Sequence, residues 1–215
     1  MDNGTLINIK GDVTSPQCKV DELAIIPHCC NNLGVMGAGV ALSLKNKWPL
    51  VFDVYKKMEK ESVNGLKYRL GENCYARVEN NVIVVNMIGQ DGVVSSHNSI
   101  PVKYWALLRC MQDIRANLIG ILHMNPENEG LTPVIHTCKF GSDLAGGNWV
   151  FILELIREIW LEHGIDVIVY EFEPDKNKWA MDQLCPTCEK FVKSTCEYFP
   201  FCSKRCRMVD LNDWI

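Results

Sequence analysis

The sequence runs to 215 residues, 47% hydrophobic and 22% charged, with a formal net charge of −4; that is enough chain for one full core and a small appendage. No apolar run approaches the roughly 18 residues of a membrane span, and the N-terminus lacks a basic segment followed by an apolar stretch. No basic block marks broad nucleic-acid binding, so the expectation is a cytoplasmic protein with no membrane partner.

In chain order, "TLINIKGD" predicts a short strand ending in a turn. "ELAIIPHCC" is almost wholly apolar, as in a strand buried on both faces. A helix is expected over 40–48, with Pro49 as its break and a second helix over 52–61. "ENCYARV" and "NVIVVNMI" read as two strands, the latter rich in β-branched residues. Pro101 suits a first helical turn, and Tyr104, Leu107, Leu108, Met111 and Ile114 follow at helical spacing. "TPVIHTCKF" is the next strand. Trp149, Ile152, Ile156, Ile159 and Trp160 stripe another helix, and "IDVIVYEF" closes the series. Strands alternating with helices indicate an α/β fold around a mixed, largely parallel sheet. The polar stretch 174–183 is expected to link residues 1–173 to a small module at 184–215.

Eleven cysteines without a secretion signal do not suggest a disulfide framework. Six are scattered among apolar residues, as buried free thiols are. The other five fall in the last 31 residues, within "CPTCEKFVKSTCEYFPFCSKRC". Cys185 and Cys188 form C-x2-C, and Cys202 and Cys206 form C-x3-C, two pairs suited to tetrahedral zinc; reduced thiols without metal are the alternative. A site with four cysteines leaves no position for water, so this zinc is expected to be structural. A module this short needs such a staple. The segment resembles the small YacG zinc proteins, including its trailing "DLNDW". That resemblance implies a protein partner of the gyrase type, or a docking piece. Five basic and five acidic residues over 181–215 argue against simple binding to a phosphate backbone.

Two glycine-rich segments, "NNLGVMGAGVA" and "FGSDLAGGNW", each follow an apolar strand and open a helix. Such turns offer backbone N–H groups and a positive dipole end to phosphate, at the strand ends where open α/β sheets bind ligands. Two of them suggest a diphosphate held from both sides, against the plainer reading of tight turns. Neither a P-loop nor a dinucleotide fingerprint is present.

With "KGDVT" and "NMIGQ", these segments resemble a macrodomain, the three-layer α/β/α module that binds ADP-ribose, over roughly residues 5–172. The resemblance runs closest to the branch that includes ADP-ribose 1''-phosphate phosphatases. It implies that Asp12 accepts a hydrogen bond from the adenine amino group, with Val13 beside the ring; an acidic residue there could equally cap a turn. Asn31 would contact the distal ribose. Gly37, Ala38, Gly39 and Val40, with Gly141, Ser142, Asp143, Leu144 and Ala145, would form the two phosphate loops. His28 stands where an asparagine is common. It is either an acid or base with a near-neutral pKa or a core histidine bonded to backbone. Asp143 replaces a glycine and either orients water or merely tolerates left-handed backbone. Gln90 stands where one subset carries a catalytic lysine, and would bind ribose or leaving group. The implied activity is hydrolysis at the terminal ribose, needing no cofactor beyond the zinc of the tail; the alternative is a non-catalytic ADP-ribose binder.

Overall fold

A computed structural model of the chain describes residues 2–60, 69–123, 128, 130–173, 183–185, 187–192, 196, 198 and 202–206. The chain divides into two compact units, Met1–Phe172 and Glu173–Ile215.

The first unit is built on a six-stranded sheet: β1 (Leu6–Lys10), β2 (Glu22–Asn31), β3 (Asn73–Glu79), β4 (Val82–Gln90), β5 (Thr132–Thr137) and β6 (Val167–Glu171). Their spatial order is β1-β6-β5-β2-β4-β3. All neighbours are parallel except β3, which pairs antiparallel with β4 at the edge. The central strand β2 is buried at all ten positions, as its continuous apolar run requires when both faces are covered. Pro27 is accommodated there because pairing with β5 spans only Glu22–Ile25, and the Pro27 carbonyl accepts from Thr137 Oγ1 at 3.1 Å.

Strand alternation divides the core into two halves. Leu23, Ile25 and Cys29 of β2 join Leu107, Met111 and Ile114 of α3 (Tyr104–His123) and Ile152 and Ile156 of α4 (Trp149–Ile159). Ala24, Ile26 and Cys30 join Leu44 of α1 (Gly39–Lys47) and Val51 and Tyr55 of α2 (Pro49–Lys60). Each fully buried Leu or Ile contributes roughly 1.5–3 kcal/mol of transfer free energy. α1 ends at Lys47, just before Pro49 as expected, and α2 begins at Pro49 itself rather than at 52, because in a first helical turn the missing N–H costs nothing. Asn148 caps α4 by accepting from Val150 N–H at 2.9 Å. No helix among the described residues is long and apolar enough to cross a membrane.

The second unit contains a two-stranded hairpin, β7 (Gln183–Leu184) and β8 (Phe191–Val192). Of the expected linker 174–183, residues 174–182 lie outside the described residues, and Gln183 belongs to β7 instead.

Candidate functional site

The C-terminal ends of β1, β5, β2 and β4 deliver the turn at Asp12, the loop 138–148, the loop 31–38 and Gln90 to one edge of the sheet. β1 and β4 are four inter-strand spacings apart, about 19 Å at about 4.8 Å each.

The first glycine loop is shaped by Asn31. Its Oδ1 accepts from the N–H groups of Leu33 (3.0 Å) and Val35 (3.2 Å), and its Nδ2 donates to the Val35 carbonyl at 2.7 Å. Tyr55, reaching up from α2, donates to the Asn31 carbonyl and accepts from Gly34 N–H. Gly39 then adopts φ +57°, a left-handed conformation that starts α1. No side chain caps that helix and no acid lies in its first turn. The N–H groups of Gly37, Ala38, Gly39 and Val40 consequently have no protein acceptor among the described residues. Four such donors at a helix start are the kind of arrangement to which anions bind.

The second loop closes on itself, with Gly146 N–H donating to the Asp143 carbonyl and Gly147 N–H to the Gly141 carbonyl, both at 2.9 Å. Ser142 Oγ donates to the Lys139 carbonyl at 2.7 Å. The N–H groups of Ser142, Asp143, Leu144 and Ala145 have no protein acceptor among the described residues. A Cβ on Gly39 would sit 3.5 Å from Leu144 Cδ1, so the two loops touch. A Cβ on Gly146 would approach the Ser99 carbonyl to 2.7 Å, which packs the second loop on the segment after β4. That segment returns to the first loop: Asn32 Nδ2 donates to Asp91 Oδ1 at 2.9 Å, and Asn32 Oδ1 accepts from Gly92 N–H at 2.8 Å. Three loops thus form a closed rim.

In the second unit, Cys185, Cys188, Cys202 and Cys206 gather their sulfurs within 4.8 Å of one another. The Cys188–Cys202, Cys202–Cys206 and Cys206–Cys188 separations are 3.4, 3.5 and 3.6 Å. Tetrahedral zinc with Zn–S near 2.3 Å places sulfurs about 3.8 Å apart, so the cluster fits the ion with slight expansion. Desolvation pushes the Cys185 thiol pKa up, but the backbone N–H groups of Cys202, Thr187 and Cys188 outweigh it and bring it down to about 6. Thr187 Oγ1 ties the two halves of the site together by donating to the Cys206 carbonyl at 3.0 Å.

Residues 183–215 match the family described as DNA gyrase inhibitor YacG. Among individual relatives, the DNA gyrase inhibitor YacG of Shewanella sediminis is 53% identical over 32 residues, 14% of this chain and 46% of that protein; the chain spans about half the length of such relatives. Among solved structures, a Bacteroides thetaiotaomicron protein of unknown function shares 31% identity at TM-score 0.65, over 78% of this chain and 98% of its own. A macrodomain protein from Streptomyces coelicolor shares 29% identity at TM-score 0.62, over 78% of this chain and 99% of its own. The chain joins a macrodomain to a YacG-type zinc module.

Within the macrodomain, Asp12 Oδ1 accepts from Thr14 N–H at 2.9 Å, leaving the second carboxylate oxygen without a protein partner among the described residues. Gly11 N–H donates to the Glu171 carbonyl at 3.1 Å and holds this turn on β6. Val13 is buried in the core half that faces α1 and α2. Val40 packs partly on the same core half. Asp143 and Leu144 are exposed on the second loop, whereas Ala145 is buried. Asp12 and Asp143 both lie within electrostatic reach of Cys138, which puts the two carboxylates around the end of β5. Gln90 lies opposite Asn31 in the strand register.

His28 departs from the acid/base expectation. It is 0% exposed, on the β2 face that carries Ala24, Ile26 and Cys30, and its Nε2 contacts Asn86 Oδ1 at 2.5 Å. Burial pushes its pKa down to about 4, with the Asn86 hydrogen bond opposing only partly. It is a core histidine, bonded to a side chain rather than to backbone. Asn31 is 7% exposed and devotes its side chain to the loop. Sequence reasoning missed Tyr55, Asn32 and Asp91; each acts through a contact between segments that are remote in the chain.

Proposed function

We propose that the macrodomain binds ADP-ribose, or a derivative extended at its terminal ribose, across the ends of β1, β5, β2 and β4, and hydrolyses it at that ribose. The observation that carries this reading is the pair of touching loops with eight backbone N–H groups lacking protein acceptors among the described residues, an arrangement suited to a diphosphate. Asp12 accepts from the adenine amino group through its second carboxylate oxygen. The diphosphate lies over the meeting of the loops at Gly39 and Leu144, and the terminal ribose beside Gln90.

For chemistry at that ribose, Asp143 is the accessible carboxylate on the second loop and the group that orients water. With ADP-ribose 1''-phosphate, water attacks the phosphate while the backbone N–H groups stabilise developing charge. His28 takes no direct part. Incubation with ADP-ribose 1''-phosphate and with ADP-ribosylated protein, followed by chromatography, tests the assignment. Release of phosphate or of ADP-ribose, abolished in Asp143→Ala with ADP-ribose binding retained, supports it; absence of product from either substrate at high enzyme concentration overturns it.

The enclosure of His28 and the commitment of Asn31 favour one second reading, a binder without turnover. Calorimetric binding of ADP-ribose with no product selects it. For the YacG-like module we propose a docking role toward a protein partner, in line with its balanced charge. A supercoiling assay with the full chain and gyrase reads the gyrase-type version directly.

A further inference from the structure

In the first unit, the loop between β1 and β2 covers a second group of ligand atoms. Cys18 Sγ, a Glu22 carboxylate oxygen and a His136 ring nitrogen lie within 4.8 Å of one another. Glu22 is 3% and His136 0% exposed. His136 Nε2 contacts Glu22 Oε1 at 2.5 Å, while His136 Nδ1 meets the Tyr170 hydroxyl at 2.9 Å. The Tyr170 hydroxyl also accepts from Gln17 N–H at 2.8 Å. Glu79 adds a further carboxylate within electrostatic reach of Cys18. Among the described residues, neither Glu22 nor Glu79 is paired with a lysine or arginine. A buried carboxylate whose recorded side-chain partner among the described residues is an imidazole is an expensive arrangement.

We propose that Cys18, Glu22 and His136 form a second metal site, for a divalent ion of the zinc class. The donors are one sulfur, one oxygen and one nitrogen, the set that borderline-soft ions take. A divalent ion with one thiolate and one carboxylate is neutral overall, so the buried carboxylate gains a permanent cationic partner. On binding, the Cys18 thiol gives its proton to water. The metal takes the Nε2 lone pair, and the ring proton resides on Nδ1, where the Tyr170 oxygen accepts it. Such an outer hydrogen bond orients a ligating histidine. The contact between Glu22 and His136 opens to about 3.3 Å, the separation of two ligands each about 2.0 Å from a tetrahedral ion. The fourth position is left to water. The ion ties the loop that carries Asp12 to both β2 and β5, by contacts additional to the Gln17–Tyr170 hydrogen bond.

The test is zinc content of the full chain, equilibrated with a slight excess of zinc, desalted and measured by mass spectrometry. The expected result is about two zinc ions per chain, falling to about one in Cys18→Ser and to about one in the double variant Cys202→Ser/Cys206→Ser. Cobalt loading gives a second readout: the difference spectrum between the natural chain and Cys18→Ser contains a thiolate-to-cobalt charge-transfer band. One zinc in the natural chain, or two persisting in both Cys18→Ser and His136→Gln, overturns the proposal, as does a flat difference spectrum.

Discussion

The two units hold themselves together by opposite means. The macrodomain has fully buried side chains on both faces of its sheet, among them Ile25, Ile26, Met87, Leu107 and Trp160, and its stability is distributed over many contacts. The YacG-like module concentrates its stability in four sulfurs, with a hairpin of two-residue strands and few buried side chains among its described residues. A distributed core can leave a helix start without a side-chain cap, as at α1. A stapled module has no such reserve; its surface is fixed by the metal or lost with it.

The strongest way to break this contrast is to remove the staple. Cys202→Ser/Cys206→Ser forfeits a structural zinc whose apparent binding free energy is on the order of 10–16 kcal/mol. Amide NMR signals of the module should collapse to unfolded positions while those of the macrodomain stay in place. Coupled loss of both sets would show that the units are not independent.

The converse variant is Ile25→Ala at the fully buried centre of β2. It should cost about 2–5 kcal/mol and lower the macrodomain's urea midpoint. Zinc bound by the module, read with a chelating dye, should not change.

The buried His28 sharpens the account of the core. Its folded pKa of about 4 lies below its ordinary value, so the unfolded chain binds the extra proton between the two. Its contribution is therefore complete above about pH 6.5 and is lost as pH falls toward 4, about 3 kcal/mol in all. Urea midpoints from pH 7 to pH 4 should fall more steeply for the natural chain than for His28→Asn. Equal slopes would place His28 in water.

Much of this was legible in the sequence. The apolar runs marked the buried parallel strands, and the two cysteine pairs anticipated the four-sulfur cluster. His28 was also readable in principle: in a strand buried on both faces, the residue between Ile26 and Cys30 on the alternating pattern must be enclosed. Other features were not accessible. Tyr55 shapes the first loop from 24 residues away, and Asn32 meets Asp91 across 59. No local period encodes such pairings, which depend on how strand ends are laid side by side.

Smaller effects fall on the ligand loops. Gly39→Val forces a β-branched residue into φ +57° and should weaken ADP-ribose binding at least about tenfold. Asp12→Ala should weaken it by about 1.5–3 kcal/mol through loss of a charge-assisted hydrogen bond, and should leave ribose 5-phosphate binding unchanged. Tyr55→Phe removes one hydroxyl from beneath the loop and should cost about 1 kcal/mol of stability.

The central claim is that the two touching loops hold a diphosphate, and calorimetric titration of the full chain with ADP-ribose tests it most directly. The account predicts saturable binding of one ligand per chain, weakened in Gly39→Val while the fold is intact by circular dichroism. Absence of binding at millimolar ADP-ribose, or undiminished binding in Gly39→Val, would contradict it.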